Sequence, residues 1–241
     1  MKVNATSQRL AAWSGVLANI LWVFGFFAIT NWLAPHGPSW TPQQTWEFWN
    51  TRSRSLIDWG LLLYGFGGVL YMTWTAGIAV QIKRIEGQHS PATYALIGLG
   101  ACFVWVFLLA WVLWEIIAYR ANIMDPNLMM ILDNLAWITN LSPVNIVLIQ
   151  GIVIGLPILT DKSPKPIFPK WFGWFTIIAV LTFLPGSFGG FFYEGPIAYD
   201  GLLSYWIPLS TYLIWMTVTT IMHLKAIKRQ EQEANLENLH S

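Results

Sequence analysis

Three carboxylic acids stand where an apolar sequence would do better without them. Glu115 is the one acid set well inside a long apolar run, Asp58 stands at the start of another, and Asp133 falls within an amphipathic stretch. An ionised acid at the centre of a membrane-spanning helix costs about 2.5–3.5 kcal/mol on insertion scales. Such a group needs a shallow position, a partner, or a site dry enough to keep it protonated. The last option carries chemistry: a neutral carboxyl can protonate an alkene or epoxide, and tryptophan faces can stabilise the resulting cation. On this reading Glu115 is the acid, with Asp58 or Asp133 orienting it or serving as the base. Trp111 and Trp114 wall the acid, and Trp59, Tyr64, Trp137 and Arg54 complete a set that would hold an apolar substrate.

Each of these residues also has a purely structural role open to it. Glu115 lies about a turn from the end of its apolar run, with Arg120 just beyond, so it can snorkel or pair. Asp58 follows Ser55 by three positions, the spacing of a capping box, and is one helical turn from Arg54. Asp133-Asn134 can form the wet face of a surface helix. Tyr64 and Tyr71, seven apart, suit either a core or a shared cavity wall.

The elements that must position these groups are membrane spans. Of 241 residues, 55% are hydrophobic and only 10% charged, against about 25% charged in soluble proteins. A spanning helix needs roughly 20 mostly apolar residues. Six stretches qualify: about Leu10–Trp32, Leu56–Ile82, Ala92–Tyr119, Pro143–Leu159, Trp171–Phe192 and Leu202–Ala226. The fold class is therefore an all-α polytopic membrane bundle, one domain over residues 1–226 with a polar tail over 227–241. Met1 to Leu10 shows no signal-peptide pattern.

Ten of the 13 cations, from Lys2 and Arg9 to Lys228 and Arg229, fall on the side that holds both termini. Arg52, Arg54 and Arg120 fall on the other. The positive-inside rule then puts the termini and the tail in the cytoplasm. Two short helices are expected at the outer interface. One follows the Thr41-Pro42 cap, with Trp46 and Trp49 on one face. The other follows Asp125-Pro126, with Leu128, Ile131, Leu132 and Leu135 on one face, and Ser142-Pro143 separates it from span four. Pro185-Gly186 with Gly189-Gly190 should break the outer end of span five.

The outer side also collects seven of the 12 acids and nine of the 16 tryptophans, among them Trp32, Trp40 and Trp206. An aromatic belt should occupy both interfaces, so the excess points to an outward-facing, aromatic-lined cavity. Gly151 and Gly155 form a GxxxG pair that suits packing within one bundle or a homodimer face.

Several chemistries lack their residues. There is no P-loop, dinucleotide fingerprint, HExxH, CxxC or Asp-rich diphosphate motif, and Cys102 stands alone. His36, His89, His223 and His240 are too dispersed for paired haem ligation. No metal, cofactor or nucleic-acid partner is expected. Asn4-Ala5-Thr6 and Asn140-Leu141-Ser142 match the glycosylation pattern by chance.

The strings Gln81 to Pro91, Asp133 to Trp137, Pro166 to Trp171, Phe183 to Gly186 and Gly195-Pro196 to Trp206 resemble a family of bacterial six-span integral membrane proteins. That resemblance runs over most of the chain and implies residence in the bacterial inner (plasma) membrane, but no settled activity. At the level of architecture the aromatic-rich, acid-containing bundle is also similar to membrane-bound terpene cyclases, with no catalytic motif matched residue by residue. Two functions stand side by side: an acid-initiated cyclase or isomerase of an isoprenoid-like substrate, and a non-catalytic lipid-binding or accessory subunit that docks a membrane partner. A small transporter is the third; a single Pro/Gly-broken segment supports it weakly.

Overall fold

The structure is a computed structural model that describes residues 4–30, 35 and 37–240, with side chains to 236. Lys2, Trp32 and His36, used in the sequence reading, lie outside the described residues. The described chain is all-helical, and six of its helical segments are long and apolar enough to cross a bilayer. This is the build of a multi-pass membrane protein. The helices are α1 (Ala5–Thr30), α2 (Pro42–Thr51), α3 (Arg54–Glu86), α4 (Pro91–Arg120), α5 (Pro126–Leu141), α6 (Asn145–Thr160), α7 (Lys170–Leu181) and α8 (Ile207–His240).

The helix starts follow from local chemistry. Thr41 and Gln44 exchange side-chain-to-backbone hydrogen bonds of 3.3 and 2.8 Å in a capping box ahead of Pro42. Asp125 accepts from the backbone N–H groups of Asn127 and Leu128 at 3.0 and 3.2 Å ahead of Pro126. These side chains satisfy donors that a helix start leaves open. The capping box expected from Ser55 and Asp58 does not form. Helix α3 begins earlier, at Arg54, and Asp58 instead pairs with that arginine at 2.6 Å. Lys170 caps the other end of α6, its Nζ donating to the carbonyls of Leu159 and Asp161 at 2.6 Å each.

The tightest seam in the bundle joins α1 to α3. A Cβ placed on Gly25 would lie 2.9 Å from the Tyr64 backbone nitrogen, and one on Gly60 would lie 2.7 Å from the Ala28 Cβ. Glycine here lets two helix backbones touch. The Gly151/Gly155 pair does the same job against α7, where Val180 and the Gly173 carbonyl fill the space a side chain would need. That face is occupied within the bundle.

Span four is longer than the sequence suggested. Helices α5 and α6 are joined by a short 3-10 turn at Ser142–Val144 with a kink at Pro143, and together they form one apolar segment, Pro126–Thr160. Leu128, Ile131 and Leu135 do share a face of α5, but that face is exposed, while Met129, Asp133, Ala136, Trp137 and Asn140 turn inward. Beyond α7 the chain tightens into a 3-10 segment, Leu184–Phe191, where the Pro/Gly cluster breaks the span. Past Ala226, α8 continues as helix. Arg9 pairs with Glu231, Arg84 with Glu233, and Arg229 donates to the carbonyls of Lys165 and Pro166. The start of α1, the polar part of α8 and the basic loops therefore share one end of the bundle, opposite α2 and α5.

Candidate functional site

In the half of the bundle nearer α5, four of the residues singled out by sequence come together. Tyr64, Trp114 and Trp137 are fully buried and Asp133 is 2% exposed. The Trp114 indole N–H donates to Asp133 Oδ1 at 3.2 Å. Trp114 meets Trp137 edge to face at 4.9 Å and Tyr64 at 5.5 Å, while Phe26 stacks on Trp137 at 6.1 Å. Such edge-to-face and offset pairs are preferred because a ring's positive edge meets a negative face. Helices α1, α3, α4 and α5 each contribute a wall.

The other five go elsewhere. Glu115 is exposed on the perimeter of α4, between exposed Val112, Ile116 and Tyr119. Asp58 and Arg54 pair with each other at the exposed start of α3, and Trp59 beside them is 65% exposed. Trp111 is half-buried against Gly65. The expected meeting of Asp58, Glu115 and Asp133 in one cavity is thus not what the structure places there. Helical geometry explains this: Glu115 follows buried Trp114 by one residue, about 100° around the helix, onto the outward side.

Beside the Asp133 cluster lies a cavity of about 90 Å³. Its rings are Trp22 and Phe26 from α1, Phe103 and Phe107 from α4, Phe183 just beyond α7, and Tyr205 and Tyr212 from the start of the last span. Trp22 stacks on Phe107 with centroids 4.5 Å apart and meets Tyr212 at 5.5 Å. Asn140 and Ser204 add polar atoms to the lining, which contains no charged residue among the described residues. Tyr64 donates to Asn140 Oδ1 at 2.6 Å, so the cavity and the Asp133 cluster share a wall. Asn140 is 8% exposed, which removes it as a glycosylation acceptor. Ser204 donates to the Ile197 carbonyl at 2.6 Å. The lining residues that keep some exposure are Leu141, Val23 on α1, and Leu209 and Leu213 on α8.

Two features brace this region from the end of the bundle that carries α2. The Arg52 guanidinium donates to the last carbonyls of α1, at Ala28 and Ile29, and lies 4.7 Å over the Phe48 ring. Partial burial lowers its pKa from the usual arginine value. The loop before α8 docks on α5 through Tyr199, whose hydroxyl donates to Asn134 Oδ1 at 3.1 Å. Burial pushes that phenol well up, and the nearby Asp133 and Asp200 carboxylates add to the effect.

None of the rings that line the cavity was singled out from the sequence. A signal was there: Trp22/Phe26 and Phe103/Phe107 are i,i+4 aromatic pairs inside apolar runs, which lie on one helical face. Among the described residues no three His, Cys, Asp or Glu side chains gather in an arrangement suited to a metal ion. Comparison of the chain with family models, with curated proteins and with solved structures returns no match. Function rests on the geometry of this site.

Proposed function

We propose that this protein is a plasma-membrane protein with cytoplasmic termini that takes a slim apolar ligand from the bilayer into the aromatic cavity, entering between α1 and α8. The observation that carries the reading is the cavity itself, ringed by aromatics and, among the described residues, free of charged side chains; the partial exposure of Val23 on α1 and of Leu209 and Leu213 on α8 supports entry between those helices. Its size argues for a chain and against a fused ring system: a void of about 150 Å³ takes up one benzene, and this one is about 90 Å³. An alkyl or isoprenyl chain can thread such a space while the rest of the molecule stays in the membrane. The basic loops at the terminal end support the orientation, through the positive-inside rule. Native mass spectrometry of protein extracted with its lipids tests the proposal. Wild type should retain lipid adducts, and Leu209→Trp, which fills the mouth, should lose them while keeping its melting temperature. A wild type that retains no adduct under any lipid condition overturns it.

An acid-initiated isomerase or cyclase is the second reading, and burial selects its acid. Asp133 is the one sequence-chosen carboxyl inside the bundle, two helical turns along α5 from Asn140. Glu115 and Asp58, on the perimeter, could act only after a rearrangement. If Asp133→Asn preserves fold and any lipid conversion equally, the enzymatic reading has no acid left.

A further inference from the structure

Asn140 is more than a wall residue. Its side chain is buried and lines the cavity, and its Oδ1 is held by the Tyr64 hydroxyl at 2.6 Å. That bond orients the amide and leaves the Nδ2 donors outside every hydrogen bond formed among the described residues. Nδ2 keeps a trace of open surface, and Asn140 is among the residues that line the cavity. Ser204 commits its proton to Ile197 and keeps a lone pair. A buried amide N–H in an aromatic chamber is costly unless something accepts from it.

We infer that Asn140 is a recognition point for one neutral oxygen, and that the ligand is a long-chain or isoprenoid alcohol whose hydroxyl enters the cavity. This rests on the ligand-binding reading above. The oxygen accepts from Asn140 Nδ2, and its proton can be offered to the free lone pair of Ser204. Among the described residues no Lys, Arg or His lines the cavity, which selects against anionic heads: an unpaired carboxylate or phosphate in an apolar chamber is far more expensive than a hydroxyl. The aromatic rings hold the first carbons of the chain, and the remainder leaves by the α1–α8 mouth.

The test titrates delipidated full-length protein in nanodiscs with 1-hexadecanol, hexadecane or palmitate and reads retention by native mass spectrometry. Wild type should hold the alcohol about tenfold more tightly than the alkane, the worth of one hydrogen bond, and should retain little palmitate. Asn140→Leu alone would strand the Tyr64 hydroxyl, so the informative variant is Tyr64→Phe with Asn140→Leu, which removes both ends of that bond. In this pair the alcohol's advantage should vanish while alkane retention persists. Equal retention of alcohol and alkane by wild type, or a preference for palmitate, overturns the Asn140 assignment and leaves the cavity reading standing. Retention of none of the three overturns both.

Discussion

Replacing Gly60 with alanine tests whether the α1–α3 seam sets the cavity wall. The new Cβ would sit 2.7 Å from the Ala28 Cβ, 3.0 Å from the Gly25 carbonyl oxygen and 3.1 Å from Ile29 Cγ1. Carbon pairs prefer about 3.5–4.0 Å, so the two helices must part by close to an ångström. Overpacking of this kind costs about 1–3 kcal/mol. Alanine's better helix propensity, about 1 kcal/mol in water, offsets little. In a bilayer the separated span stays helical to satisfy its own backbone, so propensity contributes to both states. The worst contact is with a single methyl, which Ala28→Gly deletes. The double variant should therefore regain about half of the loss, a coupling of about 1 kcal/mol between residues in contact. Unfolding in mixed micelles, followed by tryptophan fluorescence, measures all four states of the cycle. The seam also carries Trp22, Phe26 and Tyr64, so Gly60→Ala should lower ligand retention in parallel. A Gly60→Ala protein as stable as wild type, or one made worse by Ala28→Gly, would refute the close approach.

Three further perturbations probe other parts of the argument. With Cys102 changed to serine, a cysteine at Ile131 should resist a membrane-impermeant maleimide in intact vesicles while one at Asn122 reacts; equal labelling would put the exposed face of α5 in water. His223 is fully buried, and neither ring nitrogen has a partner among the described residues, so His223→Leu should raise stability by about 1–3 kcal/mol, the cost of unpaired buried polar groups; a lower melting temperature would contradict this. Burial raises the Asp200 carboxyl above its ordinary value, and Gly37 approaches it closely. An acid whose folded pKa is raised lends its full stability below the unfolded value, about 3.9, and loses it as pH climbs through the folded value. Asp200→Asn should accordingly gain on wild type as pH rises to neutrality, and denaturation midpoints that stay parallel across pH 3 to 7 would sink the assignment.

The spans were legible because bilayer thickness leaves one solution for a long apolar run, and the caps at Thr41 and Asp125 because a helix start has a local grammar. Facing was harder. In water an apolar stripe points inward, and by that rule Leu128, Ile131 and Leu135 implied a helix lying on the surface with Asp133 wet. The structure shows these leucines and isoleucine exposed and Asp133 buried. A lipid solvent rewards that inversion, since alkyl chains solvate leucine as well as a protein core does, whereas a carboxyl finds partners only inside.

The same inversion explains why Glu115 drew attention and Asn140 did not. An acid in an apolar run is conspicuous as text, yet near a helix end it can stand on the perimeter, and an exposed arginine, Arg120, ends the same helix. An asparagine just before a Ser-Pro break looks like loop chemistry. Its importance appears only when α5 and α6 are seen as one kinked segment, which turns Asn140 inward at the level of Tyr64. A bundle in lipid spends its polar residues where helices must be told apart, and the buried pairs here run down α3: Tyr64 to Asn140, then Tyr71 to Gln150, then Trp74 to Thr220. The last joins α3 to α8 and the first two join it to the kinked fourth span, with hydrogen bonds that lipid cannot replace. Of these bonds only the first borders the cavity, which makes Asn140 the point where the device that registers the helices becomes available to a ligand.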